Sequence, residues 1–378
     1  MESKHEGRKQ RAEAPRPVPG LPAGVQPFEH LRSTVERLRG TWDGRPPLLL
    51  THRSPDPDAL GALVGLHALL RGAFGMESEI ATGGRIFRAE NLTMVRELGL
   101  SFLEYADIDP EHYGGAFLVD SQPGFGHTPL PEGLDLVGVF DHHEPPTDGA
   151  ASPPSVPHYD LRLGIGATSS ILYEYLRDAG VELDPVTATA LSCGVRFDTA
   201  DLSMHVTELD TEAYYGAFRR ADRRMLQRIR RPVLPASYYR ELHRCLARAR
   251  RLGPLVFGFL GRISNPESVA EMADFFLRME GCRWTLVGGA HGETYHLSVR
   301  TELDFGDAYP LLEAVLDGEG SFGGRGPVAG GQVSLAGADA GELQRLERRL
   351  RGRTRRLVPA DELAGADPAN GTRLTRLP

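Results

Sequence analysis

A histidine and two aspartates crowd into seven residues of the segment Leu50-Thr51-His52-Arg53-Ser54-Pro55-Asp56-Pro57-Asp58-Ala59-Leu60-Gly61. Imidazole nitrogens and carboxylate oxygens suit Mn2+, Mg2+ or similar ions. Two acids two positions apart, on extended or turn backbone, can point at neighbouring metal positions. Pro55 and Pro57 are expected to keep the segment out of a helix until after Asp58, and Gly61 to let the next helix approach its neighbours closely. Read alone, Asp58 would serve equally well as the N-cap of a helix opening at Ala59. A second cluster, Val139-Phe140-Asp141-His142-His143-Glu144, weighs against that reading, because two adjacent histidines are rarely needed for packing. Asp120, in Leu118-Val119-Asp120-Ser121-Gln122-Pro123, and Asp198, in Gly194-Val195-Arg196-Phe197-Asp198-Thr199, also end or follow apolar runs. Each alone reads as a cap or a surface acid. Taken together, Asp56, Asp58, Asp120 and Asp198 carry a formal −4. Two divalent ions balance that charge, and neutral imidazoles complete the shells. Two ions roughly 3.5–4 Å apart can clamp a phosphoryl group and lower the pKa of a shared water.

The elements that must position these residues alternate strand and helix. Pro47 to Thr51, Ala116 to Val119 and Leu134 to Phe140 read as buried strands, each followed by a candidate ligand. Helices are expected over Ala59–Arg71, Ala167–Ala179 and Pro185–Cys193. This alternation predicts an α/β fold with a mostly parallel sheet and helices on both faces. Ligands of open α/β sheets bind beyond the carboxyl ends of the strands, so His52, Asp120 and Asp141 are expected to converge. Residues 210–252 are Arg-rich and read as solvated connecting helix. A second, smaller α/β unit follows, with strands over Val256–Leu260, Trp284–Val287 and Tyr295–Val299, helices over Ser268–Met279 and Asp307–Leu316, and a Gly-rich stretch from Gly318 to Gly331. The expected organisation is a flexible tail over 1–28, a first domain over 29–206, a helical linker over 207–250, a second domain over 251–356 and a tail over 357–378, with the active site in the cleft between the domains.

The 378 residues exceed one ordinary compact domain and fit two. A net charge of −8 gives no basic field for long duplex nucleic acid, while short anionic substrates stay accessible through local patches or ions. The three cysteines, Cys193, Cys245 and Cys282, are scattered, which argues against a disulfide framework and for a reducing compartment. The polar, Pro-rich start lacks the apolar core of a secretory signal, and no apolar run is long enough for a membrane span. The default location is the cytoplasm.

The four motifs, in this order, resemble the DHH phosphoesterase superfamily, specifically its RecJ-like and nanoRNase-like branch with a DHH-associated C-terminal domain. The likeness runs over most of residues 45–340. It implies that His52 and Asp56 hold one metal, that Asp58, His142 and Asp198 hold the other, and that Asp120 bridges them. It further implies that Asp141 orients the histidine pair and that His143 meets the substrate phosphate or assists the leaving group. Manganese is the activating ion the resemblance implies, with Mg2+ or Co2+ as alternatives. In the second half, Ser298-Val299-Arg300-Thr301 resembles the strand that offers an arginine to substrate. Gly323-Gly324-Arg325-Gly326-Pro327-Val328-Ala329-Gly330-Gly331 resembles the family's Gly-Gly-His loop. The loop histidine is missing: Arg325 stands in its place counting from the glycine pair, Gly326 counting back from Pro327. Backbone N–H groups of such a loop can still cradle an anion, and arginine can bind phosphate bidentately.

The function these features predict is two-metal hydrolysis of short nucleotide substrates, namely oligonucleotides of a few residues or 3'-phosphoadenosine 5'-phosphate. A homodimer is compatible with the sequence. Two other readings are a pyrophosphatase or polyphosphatase on the same scaffold, and a non-catalytic nucleotide-binding regulator, to which only the missing loop histidine lends support.

Overall fold

The computed structural model describes residues 21, 24–128, 130–145, 156–337, 340–358 and 371–374, the side chains of residues 325 and 340 excepted. The chain divides between Pro232 and Val233 into two compact units.

The first unit runs in the order α1 (Pro27–Arg39), β1 (Pro47–Thr51), α2 (Pro57–Phe74), β2 (Glu79–Thr82), α3 (Ala89–Leu98), β3 (Leu103–Glu104), β4 (Gly115–Val119), β5 (Leu136–Asp141), β6 (His158–Leu161), α4 (Thr168–Asp178), α5 (Pro185–Asp198), α6 (Glu208–Phe218) and α7 (Arg223–Arg230). Its six strands form one sheet in the order β3-β2-β1-β4-β5-β6, with every pairing parallel. The strand order reverses direction between β1 and β4, which is where open α/β sheets bind their ligands. β1 and β4 are buried at every position, as unbroken apolar runs in a parallel sheet should be.

Helices α1, α2 and α4 share the sheet face that carries Leu49, Phe117, Val119 and Phe140. Among the described residues the opposite face, with Leu48, Leu50, Leu118 and Val139, is covered by side chains of connecting segments such as Tyr113, Ile108, Leu130 and Val156. Among the described residues the helices expected on both faces lie on the first face, and the connections into β4, β5 and β6 carry no α-helix.

Three local expectations change. Helix α2 opens at Pro57, because proline is tolerated at the first helical position, where its missing N–H has no partner to lose. The N-cap is Asp56, whose side chain accepts from the N–H groups of Asp58 and Ala59; Asp58 lies inside the first turn. Phe28, expected in the tail, packs into the core from α1. The stretch expected as a linker, 207–250, holds α6 and α7 within the first unit and then enters the second.

The second unit comprises α8 (Ala236–Arg248), β7 (Arg250–Leu252), β8 (Leu255–Arg262), α9 (Glu267–Leu277), β9 (Trp284–His291), β10 (Thr294–Thr301), α10 (Ala308–Leu316), β11 (Ser321–Arg325), β12 (Val328–Ser334), α11 (Ala340–Arg356) and β13 (Thr372–Arg373). Its sheet has the order β11-β12-β10-β9-β8-β7-β13 and is antiparallel except between β8 and β9. The Gly-rich stretch is a hairpin rather than an open loop. Gly323 pairs with Gly330 and Gly324 with Ala329 across β11 and β12, and Gly326, at φ 54°, makes the turn. Thr372 and Arg373, expected in the C-terminal tail, pair with β7; residues 359–370 lie outside the described residues.

Close helix packing in the first unit depends on two glycines. A Cβ at Gly194 on α5 would stand 2.1 Å from Ser169 Oγ and 2.9 Å from Asp58 Oδ1, and one at Gly61 on α2 would stand 2.5 Å from Ser169 Oγ. Gly194→Ala should therefore destabilise the protein by about 1–3 kcal/mol despite alanine's better helix propensity. Gly40→Ala, where a Cβ meets nothing within 4 Å, should change it by less than about 0.5 kcal/mol. Urea denaturation of both variants checks the contrast, and equal stability would contradict the packing account.

Candidate metal centre

The parallel register brings the ends of three central strands level. Leu50 pairs with Leu118, and Val119 with Phe140. The residues that follow, His52, Asp120 and Asp141, therefore gather at one edge. Asp120 adopts a left-handed backbone, φ 54°, which aspartate tolerates better than most residues. Its N–H donates to the Phe140 carbonyl at 2.9 Å. This bend leaves the carboxylate buried between two imidazoles: Oδ2 is 3.6 Å from His52 Nε2 and Oδ1 is 3.7 Å from His142 Nε2.

Two sets of ligand atoms lie within 4.8 Å of one another: His52, Asp56 and Asp120 in one, Asp58, His142 and Asp198 in the other. Asp120, His142 and His143 satisfy the same distance. Ligands held at about 2.1 Å from one ion stand about 3–4.2 Å apart, and the His52–Asp120, His142–Asp120 and His142–Asp198 separations of 3.6, 3.7 and 3.2 Å fall in that range. The clearest sign is His142. Its Nδ1–H donates to the Ile165 carbonyl at 3.0 Å, which leaves Nε2 with a lone pair. Nε2 is buried without a hydrogen-bond partner, within ion-pair distance of Asp198 Oδ2 at 3.2 Å but outside hydrogen-bonding geometry. An orphaned buried nitrogen facing two carboxylates is what a cation would satisfy.

Helix α4 fixes two of the carboxylates from its N-terminus, where its own N-cap, Ala167, offers no side chain. Asp58 Oδ2 accepts from Thr168 N–H at 2.6 Å and Oδ1 from Ser169 N–H at 2.8 Å. Thr168 Oγ1 donates to Asp120 Oδ1 at 2.9 Å. A carboxylate has about four acceptor sites, so these bonds orient Asp58 and still leave lone pairs for a metal. Asp198 closes α5, one turn past the expected end of that helix.

Asp141 is fully buried and its Oδ1 accepts from the His143 ring Nδ1 at 2.8 Å and from the N–H of His142 at 2.8 Å. Gln122 holds the other oxygen at 2.7 Å, and Tyr159 O–H donates to Gln122 Oε1 at 2.9 Å. Asp141 thus orients the His143 ring; the ring of His142 is held instead by the Ile165 carbonyl. Gln122, Thr168 and Ser169 carry roles that spacing did not single out, as does the loop after β4. There Phe125 and His127 stack at 5.3 Å, with His127 edge-on to His52 at 5.7 Å and Phe125 edge-on to His143 at 6.4 Å. Arg53 N–H donates to the His127 carbonyl at 3.0 Å and ties this loop to the first motif.

The expected substrate residues belong to the second unit. Arg300 on β10 pairs opposite Val328, which pairs opposite Arg325, so the two arginines share one cross-strand row. Arg300 Nε donates to Asp274 Oδ1 at 2.6 Å and Nη1 to Ser298 Oγ at 2.6 Å.

Burial and mutual repulsion shift the titration of the cluster. Burial first, then Asp198 and Asp120, push the Asp56 carboxyl up to about 7. Burial and the same neighbours raise Asp58 well above the carboxylate range, and burial raises Asp198. Burial would raise Asp120 too, but the imidazoles of His52, His143 and His142 outweigh it and hold Asp120 well below the usual range. For His142 burial is outweighed by Asp198, Asp120 and Asp58, which raise it. Burial lowers His143, but the bond to Asp141 and the charge of Asp120 outweigh it and lift the ring to about 9.

No family model matches the chain. A protein of Methanocaldococcus jannaschii described as uncharacterized is 33% identical over 258 residues, 68% of this chain. The chain spans about half, 52%, of the length of that relative. An exopolyphosphatase-related protein from Bacteroides fragilis superposes with a TM-score of 0.66 at 14% identity, covering 88% of this chain and 98% of that one. RecJ from Thermus thermophilus, solved with Mn2+, superposes with a TM-score of 0.50 at 15% identity, covering 94% of this chain and 62% of that one. At such identities the likeness is one of fold, a mixed α/β architecture with a parallel sheet.

The raised carboxyls and imidazoles must lose protons before they can hold a metal. Affinity for Mn2+ should therefore climb as pH rises from 6 to 8, through the range in which Asp56 titrates, with protons released on binding. Calorimetry in buffers of different ionisation enthalpy measures both, and an affinity indifferent to pH would contradict this electrostatic account.

Proposed function

We propose that this chain is a two-metal-dependent phosphoesterase acting on short nucleotide substrates, either oligonucleotides of a few residues or phosphorylated mononucleotides such as 3'-phosphoadenosine 5'-phosphate. The observation that carries the proposal is the pair of adjacent ligand sets, His52/Asp56/Asp120 and Asp58/His142/Asp198, with Asp120 Oδ1 also 3.7 Å from His142 Nε2, at the reversal point of the sheet. His52 and Asp56 would hold one ion, Asp58, His142 and Asp198 the other, with Asp120 between them. Two divalent ions, Mn2+ by preference and Mg2+ or Co2+ as alternatives, supply Lewis acidity and neutralise charge on a phosphoryl group. The Mn2+ in the RecJ structure of similar fold supports that preference.

The chain's own residues do the rest. Asp141, itself fixed by Gln122, holds His143 Nδ1 and so presents Nε2 outward from a ring about half exposed. The bond to Asp141 outweighs burial and favours a proton on the His143 ring. The ring can donate that proton to a phosphoryl or leaving oxygen as charge develops there. Thr168 and the N-terminus of α4 keep Asp120 and Asp58 in place. The Phe125–His127 pair beside His143 offers ring faces to a nucleobase, which favours a nucleotide over an inorganic polyphosphate. In the second unit, Arg300, Arg325 and the backbone of Gly323, Gly324 and Gly326 are proposed to bind a substrate phosphate.

A pyrophosphatase or polyphosphatase is the second reading, favoured by the similar fold of the exopolyphosphatase-related protein. Chelated protein reloaded with Mn2+ should release mononucleotide or phosphate from a 5'-labelled dinucleotide or from 3'-phosphoadenosine 5'-phosphate faster than it cleaves pyrophosphate. No product from any nucleotide substrate would contradict the proposal. Asp120→Asn should lower kcat by at least about a hundredfold, since it removes the carboxylate proposed to lie between the two ions. Phe125→Ala should raise KM for the dinucleotide by about tenfold, the scale of one lost base stack, and leave KM for pyrophosphate unchanged. Equal effects on both substrates would remove the stacking role.

A further inference from the structure

Four guanidinium groups meet at a cavity of about 380 Å3 in the second unit, lined by Arg248, Arg250, Arg351 and Arg373 together with Glu347 and Phe259. The sheet register explains the convergence. Arg250 on β7 stands directly opposite Arg373 on β13 and opposite Phe257 on β8. Residues directly opposite share a face, and Phe259 follows Phe257 by two, so all four lie on one face of the sheet. Helix α11 crosses that face with Leu343, Leu346 and Leu350 in the core. One turn apart on the same helix, Glu347 and Arg351 come to the cavity, with the Arg351 guanidinium 5.7 Å from the Phe259 ring centre. Arg248 closes the cavity from the end of α8 and donates to the Leu260 carbonyl at 3.3 Å.

The charge balance is lopsided. Glu347 is the single acid among the described lining residues, and its Oε1 is already engaged by the Gly261 N–H at 3.0 Å and the Tyr295 O–H at 3.2 Å. Arg250 Nη1 donates to the Gly371 carbonyl at 3.2 Å, which holds its side chain beside Arg373 across the β7–β13 pair. Arg351 Nε is buried with no hydrogen-bond partner among the described residues, which costs free energy until an acceptor meets it. This concentration of positive charge sits in a chain whose net charge is −8. Guanidinium forks match the oxygens of a phosphate group, and the cavity falls within the volume range of small-ligand sites.

We propose that the cavity between β7, β13 and α11 is a second anion site, which binds the phosphate group of a small ligand, either free phosphate or a phosphomonoester. It involves none of the residues of the metal centre, so it stands or falls independently of the proposed reaction.

The test uses the full chain under chelating conditions, where the carboxylate cluster of the first unit has no cations to attract phosphate. Inorganic phosphate and adenosine 5'-monophosphate are titrated separately by calorimetry. Saturable binding of one equivalent is expected, weakened by about tenfold or more in Arg351→Gln and in Arg373→Gln. Glu347→Gln should strengthen it by removing the lone acid. Arg373 is exposed, so its variant should melt as the parent does and keeps the test valid if Arg351→Gln fails to fold. Tighter binding of the nucleotide assigns the site to phosphomonoesters; tighter binding of phosphate assigns it to the free ion. Absence of saturable binding, or binding unaffected by the arginine substitutions, overturns the proposal.

Discussion

Four carboxylates gathered in one cluster, Asp58 and Asp120 buried and Asp56 and Asp198 part-buried, keep their charge at a cost that cationic groups must offset, and the first unit is arranged around that constraint. Asp56, Asp58, Asp120 and Asp198 face one another closely enough that burial and mutual repulsion push three of them upward. Asp120 alone stays low, because imidazoles flank it. Desolvating a charge is tolerable only when it is paired or coordinated. An arrangement that leaves His142 Nε2 buried and unpartnered between Asp120 and Asp198 is costly as mere structure and sensible as a ligand set.

The scaffold carries this cost through rigid supports. Strand ends supply His52, Asp120 and Asp141 at the point where the sheet order reverses. The N-terminus of α4 supplies N–H groups that favour negative charge and hold Asp58 in place of an ordinary cap. Gly61 and Gly194 let α2 and α5 close on Ser169 so that these bonds can form. A separate chain of contacts, Tyr159 to Gln122 to Asp141 to His143, sets the half-exposed imidazole of His143. The two candidate ligand sets and the His143 ring are therefore supported by different elements.

Much of this was legible in the sequence because the ligands sit at the ends of short apolar runs, where side-chain type and strand position reinforce each other. His52, Asp56, Asp58, Asp120, His142 and Asp198 were all named from their motifs, and the structure brings them together. What spacing could not show were the supports. Thr168 and Ser169 act through backbone N–H groups, and Gln122 is an ordinary residue until its two partners are known. The capping role went to Asp56 instead of Asp58 because Pro57 fits the first position of a helix. The one-sided helical layer was missed because long connections without helices look like loops in sequence and give no sign of the face they cover. The Gly-rich stretch misled for a similar reason: alternating glycines fit an edge hairpin as readily as an open loop.

The most direct test of the central claim is electron paramagnetic resonance of the chain loaded with Mn2+ after chelation. Two ions per chain with an exchange-coupled spectrum are predicted, and Asp120→Asn should abolish the coupling, since that carboxylate lies between the two sets. A single uncoupled ion in the unmodified chain, or coupling that survives Asp120→Asn, would contradict the account.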